Sequence, residues 1–165
     1  MSTPISRFGF NRLLSELEQL KKERPLVAKI IQEAREEGDL SENAAYDAAR
    51  ERQGMQEARI SYLESRLPVL NVVDFSRLNN DKAAYGAKVI LRDQDTEEEK
   101  AYIILGPDET GLVKGAISVE SPVARALLGK EAGDEVIVEA PRGRIYYEVV
   151  ALSFPGEAMF ERGME

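Results

Sequence analysis

The stretch that decides the fold of this chain joins two helix-like segments and reads Ala34-Arg35-Glu36-Glu37-Gly38-Asp39-Leu40-Ser41-Glu42-Asn43-Ala44-Ala45-Tyr46. Apolar residues precede it at spacings of three and four, and a second series of the same kind follows it. Such spacing predicts α-helices that each carry one apolar seam. The first series is Phe10, Leu13, Leu17, Leu20, Val27, Ile31 and Ala34, and the second is Tyr46, Ala49, Ile60, Leu63, Leu67 and Leu70.

The two series are mirror images about Leu40, because the residue numbers of each opposing pair add up to 80, as in Leu17 with Leu63. Polar residues fill the remaining seam positions, with Arg24 opposite Gln56 and Gln53 opposite Val27. A connection this short allows only an antiparallel return. The sequence therefore predicts an antiparallel coiled-coil hairpin over residues 1–75 with an acidic tip at 38–43.

The ends and interior of the two helices carry their own signals. Ser6 is the expected N-cap of the first helix, and Pro25 predicts a kink, or two helices that share one seam. At the tip, Asp39 and Glu42 fit a capping box, with Asp39 as N-cap and Glu42 as the third residue of the second helix. They also fit a Mg²⁺ site, since magnesium takes one or two protein carboxylates. The residues leave both interpretations open.

After the hairpin the pattern shortens. Residues 76–86 lose the heptad and gain turn-forming residues, which predicts a linker. Residues 87–153 alternate short apolar runs with Gly, Pro and Asp, which predicts a small antiparallel α+β domain, and residues 154–165 read as a loose tail. Ser121, Pro122 and Gly129 are the expected N-cap, first residue and stop of its one helix. The expected strands are Ala87–Leu91, Ala101–Leu105, Ile117–Val119, Glu135–Glu139 and Ile145–Ala151.

Composition narrows the functional class. The 165 residues include no Cys and no His, which removes thiolate and imidazole catalysis and the usual zinc ligands. A net charge of −8 argues against general binding to duplex DNA. No apolar run is long enough to span a membrane, and we expect a cytoplasmic monomer. Three arginines near the tip, Arg35, Arg50 and Arg52, form a local basic group, for which a solvated helix surface is the simplest explanation.

Residues 34–46 resemble the tip signature of the bacterial Gre transcript cleavage factors, and the resemblance extends over most of the chain. In the hairpin it includes Glu16–Leu20, Arg24-Pro25, Arg59-Ile60 and Leu63-Glu64. In the second domain it includes Ser121–Lys130 and Gly133–Val136. The resemblance implies a two-domain α+β protein in which the coiled-coil hairpin is followed by a globular domain of FKBP-like fold.

The resemblance also implies a function. The globular domain would hold the rim of RNA polymerase, and the hairpin would enter the secondary channel toward the catalytic centre. There the tip would stimulate the polymerase's own Mg²⁺-dependent cleavage of the nascent RNA 3′ end after backtracking. The protein would then be no enzyme in isolation and would need no cofactor of its own, because the magnesium is shared with the polymerase.

Carried over residue by residue, the resemblance assigns roles at the tip. Asp39 and Glu42 match the family's two acids and would act as magnesium ligands within the polymerase complex. Arg35 and Arg50 match its basic positions and would contact RNA or the channel wall. Arg52 has no counterpart in the family pattern, and we group it with these contacts. The remaining tip residues Gly38, Ser41 and Asn43 are expected to shape the apex.

Two alternatives remain. Relatives of the same architecture that inhibit polymerase carry additional tip acids, and the presence of only two here favours cleavage. A second alternative is an FKBP-like prolyl isomerase with a coiled-coil arm. Such sites are lined by aromatic side chains, whereas this domain offers only tyrosines, namely Tyr85, Tyr102, Tyr146 and Tyr147, and no Trp, so we favour it less.

Overall fold

The computed structural model describes residues 2–37 and 43–162. It divides the chain into a helical unit, Phe10–Leu70, and a globular unit made of Met1–Gly9 and Asn71–Glu165. The two-domain α+β class predicted from the sequence is confirmed. The division differs from the predicted one, because the first residues of the chain belong to the globular unit.

The helical unit consists of α1 (Arg7–Glu36) and α2 (Ala44–Arg66). Ser6 caps α1 as predicted, since its Oγ accepts a hydrogen bond of 2.9 Å from the N–H of Gly9. Pro25 lies inside one continuous helix, so the alternative of two helices is wrong. Pro25 is exposed, and the carbonyl that it deprives of a partner lies one turn earlier at exposed Lys21, where water can replace the lost bond.

The predicted seam forms the interior of the hairpin. The structure describes every residue of the seam, and among these residues only Arg24 is exposed. Those that are buried are Leu13, Val27, Ile31, Ala34, Ala49, Gln56, Ile60 and Leu63. The second helix was expected to reach Leu70, but α2 ends at Arg66 and a single 3₁₀ turn, Leu67–Val69, continues the chain.

The polar seam pair was predicted wrongly. Arg24 donates two hydrogen bonds, of 2.7 and 2.9 Å, to the carboxylate of Glu57 and lies exposed at the flank. Gln56 is buried and donates from Nε2 to Glu23 Oε2 at 3.0 Å. A guanidinium in the seam would be desolvated beside an uncharged amide, whereas at the flank it keeps both water and a carboxylate.

The globular unit contains two sheets. A small one pairs β1 (Thr3–Ser6) with β2 (Leu70–Val73), neither of which was predicted. The larger has the order β5-β4-β3-β7-β6. Its strands match the five predicted ones to within a few residues and are β3 (Lys88–Asp93), β4 (Glu99–Leu105), β5 (Ala116–Ser118), β6 (Glu135–Ala140) and β7 (Gly143–Ser153).

The prediction of a wholly antiparallel sheet was wrong in one pairing. Strand β5 runs parallel to β4, with Ile104 opposite Ile117, and all other pairs in this sheet are antiparallel. The chain between β4 and β5 includes a 3₁₀ turn, Thr110–Leu112, and turns back so that β5 begins opposite Ile103 of β4. Parallel neighbours require such a crossover, which a tight hairpin turn cannot provide.

One face of the larger sheet is covered by α3 (Pro122–Leu127). Its predicted signals are confirmed: Ser121 Oγ accepts from the N–H of Ala124 at 3.2 Å, and Gly129 adopts a φ of 84° just beyond the helix. Ala124 and Leu127 pack among the buried residues of four strands, including Val89, Leu91, Ile104, Val136, Val138, Tyr147 and Val149. This cluster is the main core of the globular unit.

The opposite face is covered partly by segments predicted to be a tail. A fourth helix, α4 (Ala158–Arg162), places Met159 and Phe160 in a second core cluster, and the Phe160 ring stacks on Phe8 at 5.3 Å. The loose-tail prediction is therefore wrong for residues 154–162. The predicted linker 76–86 also belongs to this unit, since Ala83 is buried in the main core. Both segments hold too few apolar residues to show a period of their own.

A buried carboxylate ties the N-terminal strand to the rest of the globular unit. Glu109 is fully buried and accepts four hydrogen bonds from described residues. The donors are the N–H (3.0 Å) and Oγ (2.7 Å) of Ser6, the N–H of Gly106 (3.0 Å) and the hydroxyl of Tyr85. Position 106 requires glycine, because a Cβ there would lie 2.6 Å from the carbonyl oxygen of Pro4. Burial, followed by the charge of Glu109, raises the pKa of the Tyr85 hydroxyl.

Candidate functional site at the hairpin tip

The candidate site is the segment that connects the two arms of the hairpin. Helix α1 ends at Glu36, and Asn43 immediately precedes α2. The residues between the arms, Gly38, Asp39, Leu40, Ser41 and Glu42, lie outside the described residues. Their predicted roles as metal ligands and tip-shaping residues therefore stay predictions, and the described geometry concerns the residues on either side.

Asn43 links the two arms through its side chain. Its Oδ1 accepts a hydrogen bond of 3.0 Å from the N–H of Tyr46, and its Nδ2 donates one of 2.5 Å to the carbonyl oxygen of Ala34. The first bond makes Asn43 the N-cap of α2, and the second satisfies a carbonyl in the last turn of α1. One amide thus holds both ends of the segment that carries Asp39 and Glu42.

This cap corrects the predicted capping box. Because α2 begins at Ala44 with Asn43 as N-cap, Asp39 is not the N-cap and Glu42 is not within the first helical turn. The available signal was Asn itself, which is as strong an N-cap as Asp and is followed by the uninterrupted seam. The N-cap of α2 is therefore a residue other than the two candidate magnesium ligands.

The residues just below the tip form a second contact between the arms. Tyr46 packs against Val27, Ile31 and Ala49, and the guanidinium of Arg35 lies 5.9 Å from the centre of its ring. That distance is at the outer limit of a cation–π contact. The sequence placed Tyr46 in the seam but gave no indication of the contact with Arg35, which depends on the return of the second arm.

The three arginines of the predicted basic group do not lie on one side of the hairpin. Arg50 follows the seam residue Ala49, and Arg52 precedes the seam residue Gln53, so the helical rotation of about 100° per residue sends them to opposite flanks. Two ion pairs between the arms show which residues share a flank. Lys21 and Glu64 each follow a seam residue and pair on one flank, whereas Glu16 and Arg59 each precede a seam residue and pair on the other. Arg35 follows Ala34 and therefore shares the flank of Arg50.

The two flanks differ in their surroundings. Arg50 donates from Nη1 to Gln53 Oε1 at 2.9 Å, and both Arg35 and Arg50 are exposed. Arg52 instead lines shallow apolar depressions on the other flank, together with Ile30, Ala45, Ala48 and Met55. The structure thus places Arg35 with Arg50 and separates Arg52 from them.

Two further observations concern the described residues, 2–37 and 43–162. They contain no group of three or more acidic side chains placed to hold a metal ion. Neither long helix has an apolar stretch of the length that crossing a bilayer requires. Asp39 and Glu42 are outside these residues, and magnesium binding by them stays a prediction.

The sequence matches two protein-family models in the order of the two units. Residues 3–72 match the N-terminal domain of transcription elongation factors, and residues 78–154 match the C-terminal domain of the GreA/GreB transcription elongation factors. The chain is 61% identical over 155 residues to a transcription elongation factor GreA of Nitratidesulfovibrio vulgaris strain DP4, covering 94% of this chain and 95% of that protein. It is 49% identical over 152 residues to the GreA of Vibrio vulnificus strain CMCP6, covering 92% and 97%.

Among solved structures, GreA factor homolog 1 of Thermus thermophilus is similar at 27% identity and a TM-score of 0.44, covering 93% of this chain and 99% of that one. The sequence matches place this chain in the class of transcription elongation factors. The chain belongs to the GreA/GreB family of these factors. Membership of that family implies RNA polymerase as the partner.

Proposed function

We propose that this protein stimulates RNA polymerase to cleave the nascent RNA of backtracked complexes, with the hairpin reaching into the secondary channel. The observation that carries the proposal is the double hydrogen bond of Asn43 to both arms. It joins the last turn of α1 to the first turn of α2, and the acidic segment 38–42 connects these two turns in the chain. Two arms that are already joined lose less conformational freedom when the hairpin enters a narrow channel.

The donor set of the segment fits magnesium. Asp39 and Glu42 provide hard carboxylate oxygens, and one or two protein carboxylates are the usual share for an ion that also contacts water and phosphate. These two residues would hold the ion jointly with ligands of the polymerase. When bound, magnesium supplies positive charge that acidifies a coordinated water and offsets charge on the phosphodiester.

The protein supplies part of a catalytic centre and the polymerase supplies the rest. Two carboxylates cannot by themselves surround a metal ion, orient RNA and protonate a leaving group. Arg35 and Arg50, exposed on one flank, are the side chains proposed to contact the RNA 3′ segment or the channel wall. Arg52 would contact the wall of the channel on the other flank.

The test is cleavage of RNA in halted, backtracked elongation complexes, followed on a denaturing gel at limiting magnesium. Asp39→Asn and Glu42→Gln each remove one negative charge and keep the side-chain size. Because Asn43 caps α2, neither change removes the cap. We expect each variant to lose most of the stimulation and to compete with the parent protein for polymerase, and we expect raised magnesium to restore part of the activity.

Glu51→Gln is the matched control, since Glu51 is an exposed acid on α2 beyond the tip. It should cleave at the parent rate. If Asp39→Asn and Glu42→Gln both do the same at limiting magnesium, metal retention by the tip is refuted. If the parent protein slows RNA synthesis without shortening the RNA, the protein is a channel-binding inhibitor instead.

A further inference from the structure

A cavity of about 390 Å³ opens on the side of the larger sheet that faces the C-terminal segment. Its floor is apolar and buried, formed by Ile103 of β4, Val113 after the 3₁₀ turn and Met159 of α4. Pro155 and Ala158 lie at the mouth and are exposed. All of these residues belong to the globular unit, and none of them is part of the hairpin tip.

Two lysines border this apolar cavity. Lys88 is half-buried on β3, the central strand, where its neighbours across the sheet are Ile103 on β4 and Ser153 on β7. Val89 and Leu91 face the main core, so the alternation of the strand turns Lys88 toward the cavity. Lys114 is exposed at the mouth. Within the described residues, neither lysine forms an ion pair.

Unpaired lysines are unexpected in this part of the chain. Residues 76–165 hold 11 basic and 17 acidic side chains, a net charge of −6. A lysine on a central strand and beside an apolar cavity loses hydration, and no carboxylate among the described residues pairs with it in compensation. A bound anion with an apolar portion would satisfy both the lysines and the floor of the cavity.

We propose that the cavity docks an acidic peptide segment of a partner protein, with one large apolar side chain in the cavity and carboxylates on Lys88 and Lys114. Local charge complementarity supports an acidic occupant, because Lys88 and Lys114 border the cavity and neither forms an ion pair with a described carboxylate. The volume is near the lower end of the roughly 300–1,000 Å³ of ligand sites, which suits one large side chain. A free small ligand would need enclosure on most sides, whereas the mouth residues Lys114, Pro155 and Ala158 are exposed.

The experiment measures binding of a fluorescein-labelled peptide, Asp-Glu-Phe-Glu-Asp, to the full-length protein by fluorescence anisotropy. Replacing Phe by Ser, or all acidic residues by their amides, should weaken binding at least tenfold. The double variant Lys88→Gln/Lys114→Gln should also weaken binding of the parent peptide at least tenfold. Raised salt should lower the affinity for the parent protein and have less effect on the double variant.

Lys100→Gln is the matched control, because Lys100 is an exposed lysine on β4 that does not line the cavity. It should bind the peptide as the parent does. The proposal is overturned if the parent protein does not bind the peptide. It is also overturned if the double variant binds the peptide as tightly as the parent protein does, and the parent protein binds the Phe-to-Ser peptide as tightly as the original one. The assay contains no polymerase, so either outcome leaves the proposed cleavage function untouched.

Discussion

The hairpin and the globular unit differ in the burial of their charged side chains. In the hairpin, the charged pairs lie on the flanks of an apolar seam, and the side chains of Lys21 and Glu64, for example, are 47% and 50% exposed. In the globular unit, Glu109 is fully buried and receives four hydrogen bonds. From this difference we expect the long seam to spread stability over many residues and the compact unit to depend strongly on one polar centre.

The sharpest test of this comparison is Glu109→Ala, for which we expect the largest loss. It leaves the donors of Ser6, Gly106 and Tyr85 without their acceptor in a buried site, at a cost of about 3–5 kcal/mol in the free energy of unfolding. Glu109→Gln keeps one acceptor oxygen and should lose less. Urea unfolding followed by tyrosine fluorescence measures both, and a loss for Glu109→Ala below that of an exposed substitution would contradict the role of this carboxylate.

Leu63→Ala tests the hairpin at a fully buried seam position. The lost transfer energy and the remaining cavity should lower the free energy of unfolding by about 2–4 kcal/mol, because Leu63 is fully buried. Circular dichroism of the helices should then show a lower thermal midpoint. Leu14→Ala is the control, since Leu14 is 38% exposed and lies off the seam. If both substitutions lower the midpoint equally, the mirror register about Leu40 is wrong.

The polar centre also predicts a dependence of stability on pH in the alkaline range. The pKa of Tyr85 is raised in the folded protein by burial and by Glu109, whereas an unfolded tyrosine titrates near pH 10. The phenol therefore contributes stability below about pH 10, and that contribution falls by about 1.4 kcal/mol per pH unit above it. Unfolding in urea at about pH 9 and about pH 11 should show a steeper decline for the parent than for Tyr85→Phe. Parallel declines would show that the pKa of Tyr85 is not raised.

Asn43 joins the two arms just below the tip, and it tests whether the tip depends on a single side chain. Asn43→Ala removes the cap and the bond to Ala34, and it should lower the free energy of unfolding by about 1 kcal/mol. Asn43→Asp keeps the cap acceptor and removes the donor. We expect Asn43→Asp to retain most helix stability and still to reduce RNA cleavage. Full cleavage by both variants would show that this link does not position the tip.

The smallest effect is expected at the exposed pair of Arg24 and Glu57. The hydrogen bond to Glu57 raises the pKa of Arg24, and the same bond lowers the pKa of Glu57, but both side chains are open to solvent. Arg24→Gln should lower the thermal midpoint much less than Leu63→Ala, and high salt should remove the difference from the parent. A drop as large as that of Leu63→Ala would mean that flank charges, and not the seam, hold the hairpin.

Whether a feature could be predicted from the sequence depends on how far apart in the chain its interacting residues lie. The seam, the Ser6 cap and the signals of α3 were found because their partners lie within one or two helical turns or repeat along the chain. The candidate acids and arginines were found by resemblance, yet the separation of Arg52 from Arg35 and Arg50 emerged only from the helical geometry. The cap at Asn43 was missed because Asp39 offered an equally good local signal.

The sequence by itself determined the antiparallel hairpin, the two-domain class and the positions of the five main strands, because periodicity and turn residues act locally. Only the tertiary structure decided the parallel pairing of β5, the burial of Met159 and Phe160, and the orientation of Lys88 toward a cavity. The carboxylate of Glu109 and its partner Ser6 are 103 residues apart in the chain. No local pattern records such a contact, since it forms only when the sheet and the N-terminal strand pack together.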